Sequence, residues 1–172
     1  MAGFGQQMAI QPSLFPNPAE REASPGPAVT VYTDGGCDPN PGPGGWAAVV
    51  QTGDCEIVLS GCAPHTTNNR MELEAALSAM AYLASRYGPL RIDLYTDSEY
   101  MRLGITRWIE RWFANGWKTQ KRQPVQNQEL WQRLYDMAHL HQVHWHWVKG
   151  HGGDPQNERV NRLVREARAF AR

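Results

Sequence analysis

The sequence predicts an α/β domain, a five-stranded mixed β-sheet flanked by helices, and three observations predict it. Three consecutive apolar-rich runs near the start of the ordered part have no helical period between them, which implies an antiparallel meander. From about residue 69 segments of helical spacing alternate with short strand-like runs, so the later strands join the sheet through helical crossovers. A length of 172 residues suits one such domain with a single core and leaves little room for a second.

Residues 1–27 precede this pattern. Pro12, Pro16, Pro18, Pro25 and Pro27 interrupt any period there, and a disordered, Pro-rich arm is expected. Residues 28–172 carry the domain. In VTVYTD, Val29, Val31 and Thr33 alternate with Thr30, Tyr32 and Asp34, a strand signal. The run Asp38-Pro39-Asn40-Pro41-Gly42-Pro43-Gly44-Gly45 reads as an irregular tight connection. Trp46–Gln51 and Glu56–Gly61 follow as strands turning at Thr52-Gly53-Asp54. Asn69 or a neighbour caps a helix with apolar or small positions at Leu73, Ala76, Leu77, Met80, Ala81 and Leu83, and Gly88-Pro89 stops it. Arg91–Tyr95 is the fourth strand, and Ser98 caps a short helix to about Leu103. Residues 107–122 contain a helix to Ala114 and a loop at Asn115-Gly116. A further helix runs from Asn127 to His139, Gln142–Val148 is the fifth strand, and Pro155 or Gln156 opens a closing helix through Arg168.

Composition excludes little about partners. Lys plus Arg and Asp plus Glu are equal at 17 each, so any nucleic-acid contact must come from a local patch. Cys37, Cys55 and Cys62 form no C-x-x-C pair, which argues against structural zinc and a disulfide scaffold and for a reducing compartment. No apolar stretch approaches the roughly 18–20 residues of a membrane span, and the N-terminus lacks the order of a secretory signal. A cytoplasmic location is expected.

The chemistry rests on Asp34, Glu72 and Asp97. Asp34 ends the first strand, Asp97 ends the strand run IDLYTD, and Glu72 lies in the first turn of the helix between them. Carboxylates converging from strand ends and a helix make a site for hard divalent cations such as Mg²⁺ or Mn²⁺, which suit phosphate chemistry. Without cations the like charges raise one another's pKa. Glu74, two residues beyond Glu72, points to another side of the helix. His139, His141, His144 and His146 lack the spacing of a zinc site, and Cys37 has no basic partner that would make it a nucleophile.

These acids lie in the first three of five blocks that resemble, in order, the type 1 ribonuclease H family. The blocks are YTDGGCDPNPGPGG at 32–45, TTNNRMELEA at 66–75, YTDSEY at 95–100, GWKTQKRQPVQNQELWQRL at 116–134 and HWVKGHGGDPQNERVNRL at 146–163. The resemblance implies the ribonuclease H-like fold and two-divalent-metal hydrolysis of the RNA strand in RNA–DNA hybrids. Residues 107–122 are similar to the basic protrusion of the bacterial cellular form, which suggests a monomer. By the same resemblance Asp34, Glu72 and Asp97 are catalytic metal ligands, and Asn161 stands where the family has a fourth acid. An amide keeps a carbonyl oxygen for a cation but loses a charge. Asp154 or Glu158 could supply some of the missing field. The runner-up reading is therefore a catalytically impaired or silent hybrid-binding module.

His151, in Gly150-His151-Gly152-Gly153, matches a mobile family histidine used for proton transfer or product release. Asn40, with the backbone around Cys37, corresponds to contacts with RNA 2′-hydroxyls, as do Asn69 and Glu99; Glu99 replaces the usual Gln and is expected to weaken binding by repelling phosphate. Thr67, Asn68 and Arg70 correspond to a pocket for a DNA-strand phosphate. Trp117, Lys118, Lys121 and Arg122 are expected to track the hybrid backbone, whereas Trp108 and Trp112 pack the protrusion onto the body. Trp131, Trp145 and Trp147 read as core or core-edge aromatics. In the arm, Gln11-Pro12-Ser13-Leu14-Phe15 resembles the short motif by which bacterial proteins dock on the sliding clamp.

Overall fold

A computed structural model of the chain describes residues 28–149 and 154–171. The N-terminal arm with its clamp-like pentapeptide, and the loop bearing His151, lie outside the described residues. Strands β1 (Ala28–Cys37), β2 (Gly42–Thr52) and β3 (Cys55–Thr66) form the meander. Then come α1 (Asn68–Tyr87), β4 (Arg91–Thr96), α2 (Glu99–Leu103), α3 (Ile109–Ala114), α4 (Gln128–Leu140), β5 (Gln142–Trp147) and α5 (Pro155–Arg168). The five strands lie in the order β3-β2-β1-β4-β5, with β1 antiparallel to β2 and parallel to β4.

Alternation along β1 and β2 sets the two layers. Val29, Val31, Ala48 and Val50 point to the face covered by α1, where Leu73, Leu77, Met80 and Leu83 close the main core. Ala47 and Val49 point the other way, into a smaller cluster with Val160 and Val164 of α5. Both faces of β2 are thus buried, which is the reason for its near-continuous apolar run. Thr67, two residues before Asn69, caps the start of α1: its Oγ1 accepts the Arg70 N–H at 3.3 Å.

Three boundaries differ from expectation. β1 does not end at Asp34 but runs on to Cys37, because its pairing with β2 continues to Gly44. Gly42–Gly45 belong to β2 rather than to the connection, which shrinks to Asp38–Pro41 with both X-Pro bonds cis. Those glycines continue the sheet because only a bare backbone fits there. A Cβ on Gly45 would lie 2.6 Å from the Arg168 nitrogen, so its absence lets α5 rest directly on the strand. β3 likewise runs on to Thr66, following the extended β2.

Residues 99–114 are one helical arm in which a π-helical turn, Gly104–Trp108, joins α2 to α3. It is fastened by an aromatic cluster: Trp131 is fully buried, with Trp112 and Tyr100 at ring distances of 5.4 Å, and Trp108 lies against Trp112 at 5.5 Å. Trp145 and Trp147 sit partly buried at the edge of the same core. No helix among the described residues is long and apolar enough to cross a membrane.

Candidate active site

The parallel pairing of β1 with β4 ends at Tyr32 opposite Tyr95. Asp34 and Asp97 each follow two residues later, so both carboxylates project from the same face at the same end of adjacent strands. Glu72 reaches them because α1 starts against β1 at Gly35. A Cβ there would lie 2.2 Å from the Met71 carbonyl carbon and 2.4 Å from the Glu72 nitrogen. Carboxylate oxygens of Asp34, Glu72 and Asp97 lie within 4.8 Å of one another, and among the described residues no other acid or histidine group converges this way. Glu74 stays outside the cluster.

Electrostatics make the centre unfavourable for three bare charges. Asp34 is 6% exposed, and burial followed by the Asp97 charge pushes its pKa up to about 7, against the opposing effects of the Gly35 N–H and Arg165. Glu72 is raised well above the usual carboxylate range, by burial first and then by Asp34 and Asp97. Its Oε2 is buried without a hydrogen-bond partner. An orphaned buried oxygen beside two further carboxylates is the donor set of a hard divalent cation.

The α5 side is built from side-chain bonds. Asn157 is 4% exposed, and its Nδ2 donates to Asp97 Oδ2 at 3.1 Å. Its carbonyl accepts the Asn161 Nδ2 at 3.0 Å, so the Asn161 amide is turned back onto its own helix. Asp154 caps α5, its Oδ1 accepting the Gln156 and Asn157 N–H groups at 2.9 and 3.0 Å. That carboxylate is committed to the helix start instead of to the acidic centre. Asn157 carries no signal in the sequence beyond being an amide one turn before Asn161.

Beside the centre, Cys37, Asn40 and Asn68 form one polar knot. The Cys37 N–H donates to Asn68 Oδ1 at 2.7 Å, and Asn40 Oδ1 accepts from Cys37 Sγ at 3.3 Å and from the Asn68 N–H at 3.4 Å. Asn69 follows in the first turn of α1. Arg70 reaches across to the start of α4, donating to Asn127 Oδ1 at 3.2 Å and Glu129 Oε1 at 2.6 Å. Asn127, in the left-handed region at φ 57°, also donates from Nδ2 to the Tyr100 hydroxyl at 3.3 Å. Asn127 and Glu129 were missed from sequence, because nothing local to residues 66–75 names a partner on α4.

Glu99 is not the bare repulsive charge expected. Both its carboxylate oxygens accept from the Arg102 guanidinium, which holds its pKa below the usual range. In the protrusion, Trp117 packs edge-on against Tyr135 at 6.1 Å and onto the main core, a packing role expected only of Trp108 and Trp112. Lys118, Lys121 and Arg122 are exposed; the two lysines and Arg111 line a cleft of about 510 Å³ with Trp108 and Trp112. The histidines do not gather. His141 is buried, accepting the Leu90 N–H at Nδ1 and bonding the Met80 carbonyl through Nε2, while His146 Nε2 meets Asp93 at 2.8 Å.

A family model described as RNase H matches residues 26–169. The chain is 56% identical over 146 residues to a protein named Ribonuclease H from Bradyrhizobium diazoefficiens, covering 85% of this chain and 93% of the relative. A Ribonuclease H from Rhizobium meliloti is 54% identical over 138 residues, covering 80% and 88%. Among solved structures, LC9-RNase H1, a type 1 RNase H with the type 2 active-site motif, superposes with a TM-score of 0.77 at 32% identity over 87% of this chain and 75% of the other. LC11-RNase H1 in complex with RNA/DNA hybrid shares the fold at a TM-score of 0.57 and 23% identity, over 83% and 98% of the two chains.

Proposed function

Because the chain belongs to the RNase H family, we propose that it hydrolyses the RNA strand of RNA–DNA hybrids at the Asp34–Glu72–Asp97 centre. The observation that carries this reading is the convergence of these carboxylates within 4.8 Å, with Glu72 Oε2 left unsatisfied. Divalent cations, Mg²⁺ or Mn²⁺ and two per site, are the group the acids fit; when bound they supply Lewis-acid stabilisation of the charge developing on the phosphate. Asp34, Glu72 and Asp97 would hold them, with the Asn161 carbonyl oxygen as a neutral donor where the family resemblance leads one to expect an acid. Asn157 keeps Asp97 oriented through its 3.1 Å bond. By the family resemblance, His151 would take the role in proton transfer or product release.

Asn40 and the backbone at Cys37, with Asn69 and Glu99, would contact the 2′-hydroxyls that distinguish RNA from DNA, while Asn68, knotted to Cys37 and Asn40, belongs with the phosphate pocket. Thr67 and Arg70, joined by Asn127, hold a phosphate of the DNA strand. Trp117, Lys118, Lys121 and Arg122 carry sequence-independent backbone contacts. In this reading residues 28–172 are the catalytic domain, 107–122 its basic protrusion, and 1–27 an arm whose Gln11-Pro12-Ser13-Leu14-Phe15 engages a sliding clamp. The protein works as a cytoplasmic monomer, a location supported by three unpaired cysteines.

The test is incubation of RNA–DNA hybrid, duplex DNA and duplex RNA with Mg²⁺ or Mn²⁺. Cleavage confined to the hybrid's RNA strand is expected, and no hybrid cleavage with either ion at high enzyme concentration overturns the proposal. The bond from Asn161 back to its own helix favours a second reading, a slowed or silent hybrid binder. Asn161→Asp separates the two: a very large gain marks the amide as disabling, and comparable rates show that it suffices.

A further inference from the structure

Helix α5 carries Arg159, Arg162, Arg165 and Arg168, and a carboxylate answers three of them. Arg159 binds Glu56 in a two-pronged bridge, at 2.7 Å through its Nη1. Arg162 lies 3.9 Å from Glu166, and Arg168 lies 3.7 Å from Asp38. Arg165 is exposed and has no hydrogen bond or ion pair among the described residues. It is nonetheless near enough to the acidic centre for its charge to act on buried Asp34.

Its position on the helix explains why it is uncommitted. Residues four apart share a face, so Arg165 stands one turn beyond Asn161, on the flank that presents Asn157 to Asp97. An acid at 161 would lie four residues before an arginine, the favourable orientation for a helical ion pair. The amide offers no such charge, and its Nδ2 is already bound to the Asn157 carbonyl. Asn161 and Arg165 both line a polar cleft of about 560 Å³ along α5, together with Pro155, Glu158, Arg159 and Arg162. A free, planar guanidinium on the wall of such a cleft, beside a phosphodiesterase centre, matches the two-pronged geometry of a phosphate.

We propose that Arg165 binds a backbone phosphate of the hybrid on the α5 side of the three-carboxylate centre, and that the neutral Asn161 leaves it available to do so. The assignment rests on the hybrid-cleaving reading above, and the experiment keeps the two separable. Hybrid binding is measured with Ca²⁺ in place of Mg²⁺, and turnover with Mg²⁺, for the full chain and for Arg165→Ala, Arg165→Lys and Arg86→Ala. Arg86 lies in the last turn of α1, at the opposite end of that helix from Glu72, and controls for net charge. Arg165→Ala should weaken binding and raise KM about tenfold with kcat little changed, and should reduce the slope of log K against log salt by about one. Arg165→Lys should keep the slope while recovering only part of the affinity, since an ammonium is a point charge. Thermal unfolding of all variants should match the parent within a few degrees. In an Asn161→Asp background the Arg165→Ala penalty should shrink, because the acid captures the guanidinium. Binding and salt slope unchanged by Arg165→Ala, or equally changed by Arg86→Ala, overturn the proposal. Parent protein that binds hybrid but never cleaves it overturns the catalytic reading alone, and the binding data still decide on Arg165.

Discussion

The two sides of the carboxylate centre are held by different means. On the α1 side, Asp34 and Glu72 are placed by backbone against backbone, with Gly35 under the first turn of the helix where a Cβ would come within 2.2 Å. On the α5 side, Asp97 is steadied by one side-chain amide, Asn161 is bonded back to its own helix, and Arg165 is unpaired among the described residues. Backbone packing admits almost no variation. Side-chain bonding can be retuned by single substitutions without moving the fold, and the neutral Asn161 lies on that side.

The largest effect should come from the backbone-fixed side. Asp34→Asn is expected to lower kcat by about 10³-fold or more, while raising the melting temperature of metal-free protein at pH 8 because a buried like charge is gone. An activity loss accompanied by lost stability would contradict the like-charge account. Gly35→Ala should lower both kcat and melting temperature, since α1 must shift off β1; a variant with parental values of both would show that the close approach is dispensable.

Across the site, Asn157→Ala should lower kcat or metal affinity about 10–100-fold, the range for groups that orient a ligand. Cation titration of activity reads this directly, and an unshifted midpoint with unchanged kcat would mean Asp97 needs no support. Smaller again is the pH effect. Asp34 is raised in the fold from 3.8 to about 7, so the folded state holds its proton more tightly than the unfolded chain does. Stability of the metal-free protein should be highest below pH ~4 with respect to this group and decline as pH rises toward 7. Mg²⁺ should restore more stability at pH 8 than at pH 5, and calorimetry at the two pH values checks it. The smallest change is Glu99→Gln, expected to improve hybrid KM roughly two- to threefold by freeing Arg102; a weaker KM would show that the carboxylate itself accepts from substrate.

Much of this molecule is local and therefore readable. The alternation in VTVYTD and IDLYTD reports strands half-facing each layer, and the position of each Asp at the end of its run follows from a period of two. Strand order follows once a meander is joined by helical crossovers. Gly42–Gly45 were misread because glycine marks turns and close contacts alike, and only the position of α5 tells them apart. Asn157 bonds a residue 60 positions earlier, and Arg70 meets Asn127 across 57. Such partners have no shared period and leave no local trace.

By itself the sequence determined which chemistry is present: oxygen donors on two strand runs and a helix, an amide at position 161, and the elements that carry them. The tertiary structure alone decided how these groups are spent. It left Glu72 Oε2 unsatisfied, turned the Asn161 amide onto its helix, joined Asn157 to Asp97, and left Arg165 without a carboxylate among the described residues where its neighbours have one. The reason is physical. Element type depends on residues within a turn or two of each other, whereas desolvation, charge coupling and hydrogen-bond choice depend on whatever packing brings within a few ångströms.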